Sequence, residues 1–240
     1  FARHHGGSFA IRIEDTDQAR EVSGATEALL ESLRWLGLDW DEGPDIGGQS
    51  GPYLQSQRLE GYRDAASRLL ETGSAYYCYC SPKRLAELRE KQARLKKDPG
   101  YDRRCRDMTT AEQIEWAKGR PTPAVRFKMP MAGSTTVDDL IRGRVTFENR
   151  LLDDFVVLKS DGFPTYHLAN VVDDHAMKIS HVMRAEEWLS STPRHLMLYQ
   201  ALDFNPPLFG HLPMILGPDR SKLSKRHGAT SIHEYKEMGY

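Results

Sequence analysis

Between residues 155 and 216, three short apolar runs alternate with two stretches of helical period, and that alternation constrains the fold more than any other feature of the chain. Phe155 to Leu158 is continuously apolar, as a strand covered on both faces requires. Ile179 to Met183 and His211 to Leu216 repeat the pattern. The stretch from Tyr166 to Asp174, and one opened by Thr192-Pro193 and running through Leu196, Leu198, Tyr199 and Leu202, read as helices. Strands separated by helices imply a mostly parallel sheet, and such sheets bind ligands outside the carboxyl ends of their strands. Phe9, Ile11 and Ile13 alternate with polar neighbours and predict one more short strand, with Glu14 at its carboxyl end. Arg184 follows the second apolar run, and a cationic loop follows the last. If those ends lie together, the three make one pocket.

Elsewhere in the chain, Ser23 can cap a helix with Leu29, Leu30, Leu33 and Leu36 on one face, stopped by Gly37. A second helix runs from about Ser56 with Leu59, Tyr62, Ala66, Leu69 and Leu70, and Gly73 as its stop. These leucines are expected in the core. Ser81-Pro82 opens a third helix whose inner stripe is Leu85, Leu88, Gln92 and Leu95. Its outer face carries Lys83, Arg84, Arg89, Lys91, Arg94, Lys96 and Lys97, and Arg103, Arg104 and Arg106 come soon after. Two readings of this basic region stand: a solvated face laced with Glu87 and Glu90, or a footprint for a phosphate backbone. Net charge is only -1, so a nucleic-acid contact must come from such a local patch. Short β segments are expected at 124–127, 135–137 and 145–147.

Hydrophobic content of 39% and charged content of 28% fit a folded globular chain. No apolar run reaches membrane-span length. There is no signal peptide, and the first residue is Phe1 rather than Met, so a start upstream is expected. The three cysteines are odd in number and close together, which points to a reducing compartment or a metal site rather than a disulfide framework.

The stretch behind Gly217-Pro218-Asp219-Arg220 brings Lys222, Lys225 and Arg226 within five residues on a loop. Such a loop suits the charge that develops on a polyphosphate leaving group. Arg184 offers a planar fork for a carboxylate, Tyr166 and Asn170 add directional hydrogen bonds, and Glu14 can accept from an ammonium. An amino-acid site beside a triphosphate site suggests activation of a carboxylate by adenylation.

The run Lys222-Leu223-Ser224-Lys225-Arg226 resembles the KMSKS loop of class I aminoacyl-tRNA synthetases. Together with Arg12 to Asp17, Asp161 to Asp174 and Arg184 to Trp188, it is similar to bacterial glutamyl-tRNA synthetases, in order and over essentially the whole chain. The resemblance implies an α/β fold: a Rossmann-type parallel-sheet catalytic core over 1–76 and 155–216, with its first strand and its HIGH element upstream. It also implies an inserted α+β connective domain over 77–154 that holds the tRNA acceptor end, and over 217–240 the loop and the start of a stem-contact region. Without HIGH, these 240 residues alone are expected to activate little or no glutamate.

The implied reaction joins L-glutamate and ATP, with Mg2+ screening the triphosphate, into a glutamyl-adenylate, then transfers glutamate to the end of tRNA(Glu). The implied roles are amino-group binding by Glu14 and carboxylate reading by Tyr166, Asn170 and Arg184. Lys225, Lys222 and Arg226, with Ser224, would meet the ATP phosphates. Met214, Ile215 and Leu216 would seat adenine, and Glu187 and Trp188 would line the junction of the two pockets. Arg20, Arg84, Arg103 and Arg104 would contact tRNA. Cys78, Cys80 and Cys105 resemble a structural Zn2+ site with Tyr101 or Asp107 as fourth ligand; free reduced cysteines are the alternative. A cytoplasmic monomer is expected. The competing resemblances are a glutamyl-queuosine tRNA(Asp) synthetase, a glutaminyl-tRNA synthetase on the same fold, and a non-catalytic tRNA-binding module.

Overall fold

A computed structural model describes residues 1–17, 24–119, 122–223 and 232–239. The expected parallel pairing lies in a four-stranded sheet of order β4-β3-β7-β6. Its strands are β3 (Ser134–Asp139), β4 (Gly143–Glu148), β6 (His181–Ala185) and β7 (Leu208–Leu212). β6 and β7 run parallel from the His181/Leu208 pair to the Ala185/Leu212 pair, and β7 meets β3 in parallel at Phe209/Asp139. β3 and β4 form an antiparallel hairpin. A separate antiparallel sheet of order β1-β2-β5 contains β1 (Ala75–Cys78), β2 (Ala124–Phe127) and β5 (Val156–Leu158).

Several expectations change here. The apolar run at 155–158 joins the antiparallel sheet rather than the parallel one, because an apolar strand fits any covered sheet and its pattern does not choose the partner. The last strand is Leu208–Leu212, not 211–216. It begins directly after Pro207 and ends directly before Pro213, and a proline has no N–H to donate to a ladder. Ile179 lies in the turn that closes the preceding helix, where its N–H donates to the Asp174 carbonyl at 2.8 Å. β6 therefore starts two residues later than its apolar run, and Arg184 lies within it, opposite His211. The strand expected at 9–13 is reduced to isolated parallel bridges, Ala10 to Glu42 and Ile13 to Leu54, because the neighbouring segment touches it without running alongside.

Seven α-helices are found among the described residues: α1 (Ala25–Trp35), α2 (Leu59–Glu71), α3 (Pro82–Arg94), α4 (Thr110–Ala117), α5 (Tyr166–Ala176), α6 (Thr192–Ala201) and α7 (Ile232–Glu237). Tyr62, Ala66 and Leu69 of α2 pack with Leu168 and Val171 of α5 and Leu198 of α6 in a core shared with both sheets. In α1 the leucine face is not core: Leu30 is buried, but Leu29 and Leu36 are each 47% exposed. Helical spacing aligns side chains without guaranteeing a surface to cover them. Its expected cap, Ser23, lies outside the described residues. α3 keeps its expected start, with the Ser81 hydroxyl accepting from Arg84 N–H at 3.2 Å and Pro82 in the first turn. Its inner stripe is only partly covered, and Leu95 is exposed. Strands from residues 124–148 pair with β5 and β7, so backbone hydrogen bonds tie the segment 77–154 to the C-terminal part of the chain.

Candidate functional site

A cavity of about 410 Å³ opens beside β6 and α5. Four expected residues line it: Glu14, Tyr166, Asn170 and Arg184, together with Trp188. Tyr166 and Asn170 are one helical turn apart on α5, which places them on one face. Arg184 reaches them from β6, its Nη1 donating to the Tyr166 hydroxyl at 2.8 Å. The Tyr166 ring lies 4.6 Å from that of Trp188, which lends the pocket an aromatic wall.

Arg12, not assigned a role from sequence, organises the other side. Its Nη2 donates to Asn170 Oδ1 at 2.7 Å and its Nη1 to Asp174 at 2.9 Å. A guanidinium can only donate, so the Asn170 amide must turn its oxygen to Arg12, which leaves the Nδ2 hydrogens for another acceptor. Arg12 is itself held near Asp173, a fully buried carboxylate that accepts from Gln55, Arg58 and Tyr62. Burial works against the charge of Arg12, but Asp174 and Asp173 together raise its pKa above the ordinary value. Glu14 lies 3.6 Å from Arg12. Burial and the nearby Asp174 raise its pKa against the pull of Arg12, so a ligand ammonium would be a welcome partner for its carboxylate.

Of the nucleotide-loop residues, Lys222 is described. It forms an ion pair with Glu187, one of the residues expected where the two pockets meet. Ser224, Lys225 and Arg226 lie outside the described residues, as does Arg20. Glu14 and Arg184 thus share one cavity, whereas the expected third member, Lys225, is not described. The adenine seat expected at Met214 to Leu216 is not a strand end. The Met214 N–H donates to Glu186 at 3.2 Å and the Ile215 carbonyl accepts from Leu223 N–H at 2.9 Å. Ile215 and Leu216 are exposed.

The arginines expected to meet tRNA separate into distinct environments. Arg103 lies against the buried Asp154 at 3.3 Å and donates to the Leu152 carbonyl at 2.9 Å. Arg103 is thus tied to internal partners, with its side chain 23% exposed. Arg84 pairs with Asp102 and Arg104 lies over the Trp116 ring at 5.0 Å. Lys83, Arg89 and Lys91 on α3 remain exposed.

Cys78, Cys80 and Cys105 come together with all three sulfurs within 4.8 Å of one another. The Cys80 and Cys105 sulfurs are 3.7 Å apart, and the Tyr101 hydroxyl is 3.4 Å from Cys78 and 3.5 Å from Cys80. Tetrahedral zinc with Zn–S of about 2.3 Å and Zn–O of about 2.0 Å places its ligand atoms roughly 3.5 to 3.8 Å apart. The spacing of the three sulfurs and the Tyr101 hydroxyl is compatible with the donor set of a tetrahedral zinc. Asp107 is 84% exposed with its carboxylate 3.7 Å from Lys128, whereas Tyr101 is buried. Hydrogen bonds from Cys105 and Cys80 pull the Cys78 thiol far below its usual range, and Arg84 Nη1 donates to Cys80 Sγ at 3.4 Å.

Two neighbours of Arg184 escaped the sequence reading. Its Nε donates to His211 Nε2 at 3.1 Å, and His211 Nδ1 meets Asp139 at 2.5 Å. Seventy-two positions separate His211 from Asp139, and no local spacing marks them as partners. His167 and His195, 3.0 Å apart behind Tyr166, also went unread.

A family model for tRNA synthetases class I (E and Q), catalytic domain, matches residues 1–240. The glutamate–tRNA ligase of Dehalococcoides mccartyi (strain ATCC BAA-2266 / KCTC 15142 / 195) is 65% identical over 240 residues, 100% of this chain and 48% of that protein. The glutamate–tRNA ligase of Moorella thermoacetica is 55% identical, again over 100% of this chain and 49% of that protein. The crystal structure of a glutamate tRNA ligase from Elizabethkingia meningosepticum in complex with its amino acid matches with a TM-score of 0.90 at 39% identity, covering 100% of this chain and 48% of that one. The chain spans about half the length of the curated relatives it matches.

Proposed function

The chain belongs to the catalytic-domain family of the class I tRNA synthetases for E and Q, and on that premise we propose that it activates L-glutamate with ATP and passes the glutamyl group to tRNA(Glu). The observation that carries this reading is the Arg184–Tyr166 pair opening on the same cavity as Glu14 and Asn170. Arg184 and the Asn170 amide receive the substrate carboxylates, and Glu14 receives the ammonium. The glutamate α-carboxylate attacks the α-phosphorus of ATP and pyrophosphate departs. Catalysis is electrostatic and positional, with no covalent protein nucleophile. Mg2+ supplies charge neutralisation on the triphosphate when bound.

In this reading Lys222, Lys225, Arg226 and Ser224 meet the phosphates, with Glu187 steadying Lys222. The segment 214–216 lies against the adenine, and residues 77–154 hold the tRNA acceptor end through the exposed basic face of α3. Zn2+ held by Cys78, Cys80, Cys105 and Tyr101 stiffens that region. The expected place of work is the cytoplasm; among the described residues no helix is long and apolar enough to cross a membrane.

The test is tRNA-dependent pyrophosphate exchange by the chain joined to the flanking segments that its relatives carry. Glutamate is expected to support exchange and glutamine not. Exchange that is indifferent to glutamate would remove the proposal.

A further inference from the structure

The guanidinium of Arg184 is held from behind as firmly as it is aimed at the cavity. Its Nε donates to His211 Nε2 at 3.1 Å, and its Nη2 donates to Thr192 Oγ1 at 3.0 Å. The side chains of His211 and Asp139 are both fully buried. Asp139 lies at the end of β3, in the turn of the β3–β4 hairpin, while His211 is on β7 and Arg184 on β6. Asp139 Oδ1 accepts from the backbone N–H groups of Ile141 at 3.0 Å, Arg142 at 2.8 Å and His211 at 3.1 Å. Its Oδ2 faces His211 Nδ1.

This chain of contacts fixes a proton. Burial opposes the charge of Asp139, but the hydrogen bond from His211 and the backbone donors outweigh it and hold its pKa down at about 2. An ionised carboxylate can only accept, so Nδ1 of His211 carries the hydrogen. The neutral ring then turns the lone pair of Nε2 to the Arg184 Nε–H, which can only donate. The other tautomer would set Nε2–H against the Arg184 Nε–H and a bare Nδ1 against the Asp139 carboxylate, leaving Nε2–H only the Thr192 hydroxyl, 3.3 Å away and already accepting from Arg184 Nη2. The same hairpin turn is clamped further on, where Arg142 forms an ion pair with Glu186 and donates to the His211 carbonyl at 3.2 Å.

We propose that His211 and Asp139 are positioning residues that lock the plane of the Arg184 guanidinium and so set the affinity of the pocket for a carboxylate of its amino-acid substrate. The inference rests on the reading of the cavity as a glutamate pocket. It gives the β3–β4 hairpin a part in substrate recognition, although Asp139 does not line the cavity.

Two substitutions separate the roles of the two ring nitrogens. His211→Asn keeps a donor at the Nδ1 position for Asp139 and removes the acceptor for Arg184. His211→Gln keeps an acceptor near the Nε2 position. Steady-state exchange kinetics are read on the chain with its flanking segments, with a melting curve for each variant. His211→Asn is expected to raise the KM for glutamate by about tenfold or more, the scale of one hydrogen bond to a charged group, with the KM for ATP nearly unchanged. His211→Gln is expected to recover part of that loss, because it restores the acceptor for Arg184 but not the donor for Asp139. An unchanged glutamate KM in His211→Asn, or a parallel fall of kcat and rise of both KM values in both variants, would overturn the proposal. Independently of activity, long-range 1H–15N correlation on the 15N-labelled chain reads the ring tautomer. A proton on Nδ1 supports the proposal, and a proton on Nε2 overturns it. A parent enzyme that shows no glutamate dependence would remove the reading of the pocket, while the tautomer still decides the hydrogen-bond chain.

Discussion

Arg184 is the residue on which the chemistry of the pocket converges, because its partners Tyr166, His211 and Thr192 use donors on Nη1, Nε and Nη2. A lysine would keep the charge and lose the fork. Arg184→Lys is therefore expected to raise the KM for glutamate roughly ten- to a hundredfold, with little change in the KM for ATP, in exchange kinetics. Behind Tyr166 a different kind of residue carries a pH dependence. Burial, followed by the positive charges of Arg194 and Arg184, lowers the pKa of His167 to about 4 from 6.5, and His195 is shifted the same way. As the pH falls the unfolded chain binds the proton first. The stabilisation is complete above about pH 6.5 and is lost progressively toward pH 4. For His167 the difference is at most on the order of 3 kcal/mol, less what solvent reaches of the ring. In urea titrations, the stability gap between the parent and His167→Gln should shrink or reverse from pH 7.5 to pH 4.5. Reading the gap isolates the histidine from Glu14 and Asp174, whose raised pKa values act in the opposite sense. A gap that does not move with pH would refute the assignment.

Among the elements, those whose signals are local were legible in the sequence. The start of α3 is written in Ser81-Pro82, α5 in the spacing of Tyr166 and Asn170, and the β3–β4 hairpin in its alternating residues on either side of Arg142-Gly143. Elements whose form depends on a partner were not. Phe9, Ile11 and Ile13 alternate like a strand yet find only single bridges, and the leucine face of α1 finds little to cover it. The pocket divides in the same way. Residues that touch the ligand space carry recognisable chemistry, whereas His211, Asp139 and Arg12 act through contacts far apart in sequence. The cysteine cluster is an intermediate case: three thiols were readable, the sequence leaves Tyr101 and Asp107 open as fourth ligand, and the fold buries the first and exposes the second. Freshly purified protein should contain about one zinc per chain by elemental analysis, and Cys105→Ser should lose it. Tyr101→Phe should release zinc to a chelator more readily than the parent, while Asp107→Ala should behave as the parent. Protein purified without metal would count against the site, and a chelator response in Asp107→Ala would reverse the choice of fourth ligand.

Across the molecule, Asp154 ties the cysteine-bearing region to the rest. Its side chain is fully buried and accepts from the Tyr76 hydroxyl at 2.8 Å, Arg106 at 2.8 Å and Met129 N–H at 3.1 Å, with Arg103 at 3.3 Å. One carboxylate thus joins β1, the segment after β2, and the loop that carries Cys105, just ahead of β5. Breaking a buried pair from one side strands the opposite charge, which costs about 3–5 kcal/mol, so Asp154→Ala should be strongly destabilising in a melting curve. The same geometry divides the basic surface by function. With a net charge of -1 the molecule has no global field for a polyanion, and binding must come from cations left facing solvent. Arg103→Ala should lower the melting temperature and leave the salt dependence of tRNA binding unchanged, because its charge is already spent on Asp154. Removing Lys91, exposed on α3, should do the reverse, flattening the slope of log affinity against log salt by roughly one unit while the melting temperature holds. Filter binding across a salt series distinguishes the two. A change of slope in Arg103→Ala, with none in Lys91→Ala, would mean that the polyanion lies on the Asp154 side of the molecule and not along α3.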